Sequence, residues 1–236
     1  LEKMKSIKIE IKDSICIIYI NRIKSFNAIN TEVISELTDV FNKYRESKDF
    51  RSVILTGAGE QAFIAGADIK EMSLMNSEEA FEFSKAGNDL TLLMENYSKP
   101  IIAAINGYAL GGGCEIAMAS HIRFCSDNAV IGQPESGLGL IPGFGGTQRL
   151  PRIVGSTNAY NLLLSGGSIN ADEAKRIGFV GDVFKAENLL DRCISFAKKI
   201  NKNSPFSSSL IIELVNKGAH LNLKDALNLE SEYFKK

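Results

Sequence analysis

The feature that most constrains the fold is a short apolar strand followed by a glycine-rich loop, an arrangement that occurs twice. Residues 52–56 (SVILT) enter Gly57-Ala-Gly59, and a second glycine-containing loop follows at 64–68. Residues 101–105 (IIAAI) lead through an Asn-Gly turn and a glycine run into an apolar helix over 113–120. Alternating strands and helices are typical of α/β proteins, in which the loops carry ligand contacts. The sequence therefore predicts an α/β fold with a site at these loops.

The segment before the first of these strands predicts a hairpin and a helix. Isoleucines alternate with polar residues over 7–11, and the pattern resumes over 14–21, which predicts two antiparallel strands. Asn30 or Thr31 can cap the helix that follows, because apolar residues recur there at helical spacing.

The second half of the chain has fewer strand signals. Short strands are predicted over 122–125 and 129–131, and helices over 171–177, 186–200 and 205–216. No low-complexity linker separates this half from the first. We therefore predict a core domain over 1–185 and a helical C-terminal region over 186–236.

Charge and cysteine content restrict the possible partners and compartment. The 27 Lys and Arg residues nearly balance 28 Asp and Glu residues, giving a net charge of -1, so no overall positive field would attract nucleic acid or an anionic membrane. Residues 1–13 lack the apolar core of a signal peptide. The cysteines lie far apart, which favours reduced, buried thiols in a cytoplasmic protein. They are Cys16, Cys114, Cys125 and Cys193.

The apolar stretch 101–119 raises the question of a membrane span. It contains Asn106, four glycines and Glu115, and a carboxylate in lipid is expensive. We therefore place this stretch inside a folded protein, where its carboxylate needs an explanation.

Several catalytic classes lack their usual residues here. The chain has two histidines, His121 and His220, and it has no GxSxG, P-loop or HExxH motif. Triad hydrolysis, phosphate-loop chemistry and zinc catalysis are therefore disfavoured, and no metal site is predicted. The remaining acid-base candidates are carboxylates.

Two glutamates have unusually apolar or glycine-rich neighbours. Glu115 follows a glycine run in an apolar helix, and Glu135 lies in a Gln-Pro-Glu-Ser segment. Burial would raise the pKa of each carboxyl toward the range useful for proton transfer. Glu115 could equally be an acidic residue stabilised at a helix N-terminus, and Glu135 a solvated turn carboxylate.

The glycine run before Glu115 has two readings as well. Gly112 lies at the start of the predicted helix, where unpaired N–H groups and the helix dipole favour a bound negative charge. Close helix packing or a tight turn would explain a glycine triplet about equally well.

Three motifs together resemble the crotonase, or enoyl-CoA hydratase/isomerase, family. They are 63–72 (FIAGADIKEM), 106–115 (NGYALGGGCE) and 133–150 (QPESGLGLIPGFGGTQRL). The resemblance covers essentially the whole chain in the right order, and it is greatest to the bacterial short-chain 3-hydroxybutyryl-CoA dehydratases. It implies a spiral of repeated ββα units with a helical C-terminal extension.

The resemblance also implies site residues, assigned motif by motif. Backbone N–H groups of Ala67 and Gly112 would form an oxyanion hole for the thioester carbonyl, and Gly143 would line the site with its backbone. Catalysis would fall to Glu115, acting on water, and Glu135, acting on the C2 proton. Coenzyme A would lie between two segments, with contacts from Lys24, Phe26, Ala65, Ala67, Asp68, Ile69 and Lys70.

The implied activity is reversible hydration of a short 2-enoyl-CoA, with a preference near four carbons as in butanoate and fatty acid metabolism. Coenzyme A would be part of the substrate, and no other cofactor is expected. The paired glutamates favour hydration over a second activity of the family, isomerisation of the double bond. A third alternative is a non-catalytic RNA-binding relative, which the balanced charge disfavours.

The resemblance further implies trimers, commonly paired into hexamers, with contacts made largely by the helical C-terminal region. Ile211, Ile212, Leu214 and Val215 would supply apolar surface there. Relatives usually continue beyond the position of Lys236 through another helical segment. If this protein lacks that segment, we expect a weakened hexamer and a more open acyl pocket.

Overall fold

The computed structural model describes residues 4–236 as alternating strands and helices. The strands are β1 (Ile7–Lys12), β2 (Ile15–Ile20), β3 (Ser52–Gly57), β4 (Ala62–Ile64), β5 (Ile101–Ile105), β6 (Tyr108–Leu110), β7 (Ile122–Ser126), β8 (Val130–Gly132), β9 (Ser168–Asn170) and β10 (Asp182–Phe184). The helices are α1 (Thr31–Lys43), α2 (Ile69–Met72), α3 (Ser77–Glu95), α4 (Gly112–Ala119), α5 (Gly146–Val154), α6 (Ser156–Ser165), α7 (Ala171–Arg176), α8 (Leu189–Ile200), α9 (Pro205–Gly218) and α10 (Leu223–Phe234).

Successive pairs of strands build two sheets, which confirms the predicted α/β spiral. A six-stranded sheet has the order β1-β2-β3-β5-β7-β10, and a four-stranded sheet has the order β4-β6-β8-β9. In the pairs β3–β4, β5–β6 and β7–β8 the first strand joins the larger sheet and the second joins the smaller one. Neighbouring strands are parallel except at the β1–β2 and β8–β9 pairs. Each turn of the spiral therefore brings a loop and a helix N-terminus to the same region of the molecule.

The predicted N-terminal hairpin and the helix after it are both confirmed. The β1–β2 hairpin turns at Asp13 and Ser14, which both have positive φ. The side chain of Asn30 accepts a hydrogen bond from the N–H of Val33, as an N-cap of α1. Capping and an apolar face together explain why this segment is helical.

Strand β3 separates two hydrophobic cores because its side chains alternate between the sheet faces. Val53 and Leu55 pack into the larger core with residues of α1, α3 and α4. Ile54 faces the other way, into a smaller core with Leu189 and Cys193 of α8. Helix α8, which begins the predicted C-terminal region, thus covers the outer face of the six-stranded sheet.

Helices α9 and α10 form a hairpin that contains no buried residue. Its one hydrogen-bonded contact with α3 joins the Asn216 amide to the Glu95 carbonyl at 2.6 Å. A cavity of about 540 Å³ lies between α9 and the C-terminal end of α4. Its apolar lining includes Met118, Ile153, Ile211, Ile212 and Val215.

The sequence analysis did not predict two strands in the second half of the chain, β9 and β10. Strand β9 pairs antiparallel with β8, and β10 pairs parallel with β7. Each has only three residues and none of them is fully buried, so neither leaves an apolar run in the sequence.

The four cysteines are free and buried, as the sequence predicted. Among the helices of residues 4–236, none combines the length and the apolar character that crossing a membrane requires.

Candidate active site

Glu115 occupies the first turn of α4, a helix whose eight residues are all buried. Its Oε1 accepts hydrogen bonds from the backbone N–H groups of Phe144 (2.8 Å) and Gly146 (2.6 Å). Burial raises the pKa of Glu115 to about 7; the charge of Glu135 adds to this rise, and the two N–H donors oppose it. A carboxyl group with this pKa can accept and return a proton near neutral pH.

Glu135 begins a short 3₁₀ turn after β8 and lies against the start of α4. Gly111 has a φ of 49°, and a Cβ at this position would lie 2.5 Å from Oε1 of Glu135, so the contact requires glycine. Burial raises the pKa of Glu135 as well. The structure therefore brings both carboxyl groups to the N-terminus of α4, and Glu135 is a partly buried turn residue rather than a fully solvated one.

Gln133 is a buried partner of Glu135 that the sequence did not single out. With its amide oriented to satisfy its hydrogen bonds, the nitrogen lies 2.9 Å from Oε2 and 3.2 Å from Oε1 of Glu135. Two contacts from one amide fix the direction in which the Glu135 carboxyl group points.

Gly112 is the first residue of α4, so its N–H has no partner within the helix. No acceptor for this N–H occurs elsewhere in residues 4–236. A Cβ at Gly112 would lie 3.2 Å from the ring of Phe144 and 3.4 Å from Cδ1 of Ile29. The free donor thus lies at the positive end of the helix dipole, on a residue that has Phe144 and Ile29 close to its Cα.

Ala67 follows β4 and is held by backbone hydrogen bonds on both sides. The N–H of Ile29 donates to Gly66 O (2.8 Å), and the N–H of Asp68 donates to Ile29 O (2.7 Å), forming a parallel bridge between Ile29 and Ala67. In such a bridge the N–H of Ala67 points away from Ile29. Within the described chain the N–H of Ala67 has no acceptor. Ile29 pairs with Ala67 and also lies next to Gly112, so it is close to both residues predicted to form the oxyanion hole.

An ion pair fixes the loop that carries Ala67. Asp68 accepts from Nη2 of Arg22 (2.9 Å) and caps α2 through the N–H of Lys70 (3.2 Å). Arg22 also donates to the carbonyl of Ala28 (2.5 Å). The bond from the Arg22 guanidinium lowers the pKa of Asp68, which keeps the carboxylate ionised. Asp68 therefore stabilises the conformation of this loop. The sequence analysis did not identify Arg22 as its partner.

The two segments predicted to hold coenzyme A meet at the surface. The N–H of Ala65 donates to the carbonyl of Phe26 at 3.1 Å, which joins the loop before α1 to the loop before α2. The other predicted contacts beside this junction, Lys24, Ile69 and Lys70, are exposed, as is Phe26. Exposed side chains around a fixed backbone junction suit a large polar ligand at the protein surface.

Gly143 lies in the loop before α5 and directly precedes Phe144. Its carbonyl accepts hydrogen bonds from α3, so that this face of the peptide is occupied within the protein. That its backbone lines the substrate site stays a prediction, and the same peptide unit supplies the Phe144 N–H to Glu115.

No group of three or more His, Cys, Asp or Glu side chains in residues 4–236 is arranged to hold a metal ion. The candidate site brings together two carboxyl groups, an amide and unpartnered backbone donors, a set that can move protons and stabilise an oxyanion.

Known proteins share both the sequence and the fold. A family model described as enoyl-CoA hydratase/isomerase matches residues 10–236. A short-chain-enoyl-CoA hydratase of Clostridium acetobutylicum is 44% identical over 98% of this chain and 89% of its own, and a crotonyl-CoA hydratase of Syntrophomonas wolfei is 41% identical over 98% and 88%. A crystal structure of an enoyl-CoA hydratase from Bacillus anthracis superposes with a TM-score of 0.95 at 36% identity, covering 98% of this chain and 90% of the other.

Proposed function

This chain belongs to the enoyl-CoA hydratase/isomerase family, and we propose that it adds water reversibly across the double bond of short 2-enoyl-CoA thioesters. The observation that carries the proposal is the meeting of two carboxyl groups of raised pKa with an unpartnered N–H at one helix N-terminus. Hydration needs proton transfer at two atoms and stabilisation of a developing oxyanion, and these groups supply both.

The thioester carbonyl would accept hydrogen bonds from the N–H groups of Ala67 and Gly112. Conjugation makes C3 of the substrate electrophilic, and attack by water there moves the π electrons through C2 onto the carbonyl oxygen. Donors fixed in advance bind this charge without reorganising, and one such donor contributes about 2.7 to 4 kcal/mol to transition-state stabilisation.

The two glutamates would handle the protons. Glu115 takes a proton from the attacking water as the C3–O bond forms, and Glu135 delivers a proton to C2 as the enolate collapses. The charge of Glu135 contributes to the raised pKa of Glu115, so the protonation of one carboxyl group affects the other. Dehydration follows the same steps in reverse, and every step uses protein groups, water and substrate, so we propose no cofactor beyond the substrate's own coenzyme A.

The preferred acyl group is proposed to be short, near the four carbons of crotonyl-CoA. The names of the Clostridium and Syntrophomonas relatives support this preference, which would connect the chain with butanoate metabolism. A kcat/KM series over acyl lengths tests it. We expect a maximum at four carbons, and a maximum at longer chains would contradict this part of the proposal.

Hydration itself is tested by following the absorbance of the conjugated thioester in crotonyl-CoA. We expect the absorbance to fall and 3-hydroxybutyryl-CoA to form. If the chain interconverts 2-enoyl and 3-enoyl isomers without forming a hydroxyacyl product, isomerisation replaces hydration as the activity.

We also propose that the chain forms trimers or hexamers in the cytoplasm. Exposed apolar side chains on the α9–α10 hairpin, including Ile211 and Val215, support an interface there, and four buried free thiols support a reducing compartment. Light scattering should give three or six times the 25.8 kDa chain mass. A mass of one chain at all concentrations would contradict the oligomer.

A further inference from the structure

Glu115 receives its hydrogen bonds from backbone groups, and one of those groups is itself held by side chains of α3. The peptide unit between Gly143 and Phe144 carries the N–H that donates to Glu115 at 2.8 Å. The carbonyl of the same unit accepts from Oγ of Ser84 at 2.6 Å and from Nδ2 of Asn88 at 2.9 Å. One peptide therefore connects two polar side chains of α3 to the buried carboxyl group.

The side chains of α3 that face the loop before α5 allow a close contact with the Gly143–Phe144 peptide. Ser84 and Asn88 are one helical turn apart, and Nδ2 of Asn88 also donates to the carbonyl of Ser84 at 3.1 Å, which fixes the amide. Gly87 lies between them, and a Cβ there would lie 2.1 Å from the ring of Phe144. Glycine at this position thus lets Phe144 approach the helix closely enough for both polar side chains to reach the carbonyl.

Hydrogen bonds at a carbonyl affect the N–H of the same peptide in two ways. They fix the plane of the peptide, which sets the direction of the N–H, and they polarise the group, which strengthens its donation. Donation to a carboxylate favours the ionised form. Ser84 and Asn88 can therefore influence Glu115 without touching it or the substrate.

We propose that Ser84 and Asn88 are positioning residues for the hydration reaction, acting on Glu115 through the Gly143–Phe144 peptide. The proposal rests on the function proposed above for Glu115. The pair holds the N–H toward the carboxyl group and keeps Glu115 ready to accept a proton from water.

The other charged groups near Glu115 form no hydrogen bond to Ser84 or Asn88, although Arg149 also donates to the carbonyl of Phe144 at 2.8 Å. Glu135 approaches from the turn after β8, and Arg149 from α5, where Arg149 forms two hydrogen bonds to Glu95. The neighbouring Cys114 thiol is neutral because burial raises its pKa strongly. A change in the pH profile after substitution at Ser84 or Asn88 therefore reports on the peptide.

The test compares S84A, N88L and the double variant with wild type in hydration of crotonyl-CoA. Removing one hydrogen bond should lower kcat about 3- to 10-fold, and the double variant about 10- to 100-fold, with KM changed less than about 2-fold. The acid limb of the kcat/KM profile should move to higher pH, because Glu115 loses support for its ionised form. S84T, which keeps the hydroxyl group, should restore most of the activity.

Two controls separate positioning from general damage to the fold. N96A removes a similar amide-to-carbonyl bond at the exposed end of α3, from Asn96 to Leu92, and should leave kcat and the pH profile unchanged. In an E115Q background, the S84A and N88L substitutions should cost little further activity, since their effect passes through Glu115.

An unchanged kcat and acid limb in S84A and N88L would overturn the proposal, and so would equal losses in the wild-type and E115Q backgrounds. The single variants decide the matter if the double variant does not fold. Absence of hydration by the wild-type chain would instead contradict the proposed function itself.

Discussion

Helix α4 and the α9–α10 hairpin show two opposite uses of helical structure in one chain. All eight residues of α4 are buried, and Glu115 within it accepts hydrogen bonds from Phe144, in the loop before α5, and from Gly146, the first residue of α5. The hairpin has no buried residue and keeps large apolar side chains such as Ile211, Val215 and Phe234 exposed. Glu115 thus lies among contacts that the chain itself supplies, whereas the hairpin leaves large apolar side chains exposed.

The difference shows what a buried carboxyl group demands. Removing a charge from water is costly unless hydrogen bonds replace the water, so the segments around Glu115 must be held in one arrangement. The exposed hairpin contains no buried charge that has to be compensated in this way. Substitutions should therefore change catalysis strongly near α4, and in the hairpin they should chiefly change assembly.

The largest effect is expected from Glu115→Gln or Glu135→Gln. Each variant keeps the shape of the side chain but removes a proton acceptor, so kcat for crotonyl-CoA should fall about 100- to 10,000-fold. Each variant should remain folded and should bind coenzyme A about as tightly as wild type. Near-normal turnover by either variant would show that this glutamate is not needed for the reaction. It would also contradict the expectation that substitutions near α4 change catalysis more than those in the hairpin.

Replacement of Gly112 by proline should have the next largest effect. Proline removes the unpartnered N–H, and loss of one oxyanion donor typically costs about 2.7 to 4 kcal/mol of transition-state stabilisation. Gly112→Ala is the matched control, because it keeps the N–H while adding a methyl group near Phe144. A folded proline variant with the activity of the alanine variant would show that this donor does not bind the enolate.

The raised pKa of Glu115 predicts a pH-dependent stability. The folded chain holds the Glu115 proton up to about pH 7, whereas the unfolded chain releases it near 4.5, so this contribution is full below 4.5 and is lost as the pH rises through 7. Relative to Glu115→Gln, the wild type should lose about 3 kcal/mol of unfolding free energy between pH 4.5 and 8. Denaturant titrations measure this, and a constant difference between the two proteins would contradict the buried carboxyl group.

The smallest effect on the stability of the single chain is expected in the hairpin. Ile211→Ser and Val215→Ser alter side chains that are already 60% and 66% exposed, so each should change that stability by about 0.5 kcal/mol or less. The oligomer mass in light scattering should fall. An unchanged mass together with a large loss of stability would mean that the hairpin is part of the core.

The same contrast explains how far the sequence could predict this molecule. Glu115, Glu135, Ala67 and Gly112 lie in three continuous motifs, so their part in the site could be hypothesised from the sequence. The loop donors to Glu115 could not, because Phe144 and Gly146 contribute backbone groups that any residue carries. Gln133 could have been proposed as a site residue, since it lies two residues before Glu135 in the same motif. A single amide side chain, however, does not indicate a function in the sequence.

Other features depend on contacts between distant segments. Strands β9 and β10 form by pairing with β8 and β7, and their three residues show no alternation that would predict them. Arg22 meets Asp68 across 46 residues of sequence. Assembly of the hairpin likewise stays a prediction that rests on family resemblance and exposed apolar surface.

The most direct test of the account is to incubate wild-type protein with crotonyl-CoA in water enriched in heavy oxygen and in deuterium oxide. Mass spectrometry and NMR should find one heavy oxygen at C3 and one deuterium at C2 of the product, with the rate of both reduced together in Glu115→Gln. Deuterium in the acyl chain without heavy oxygen at C3 would contradict the central claim that this site adds water to the double bond.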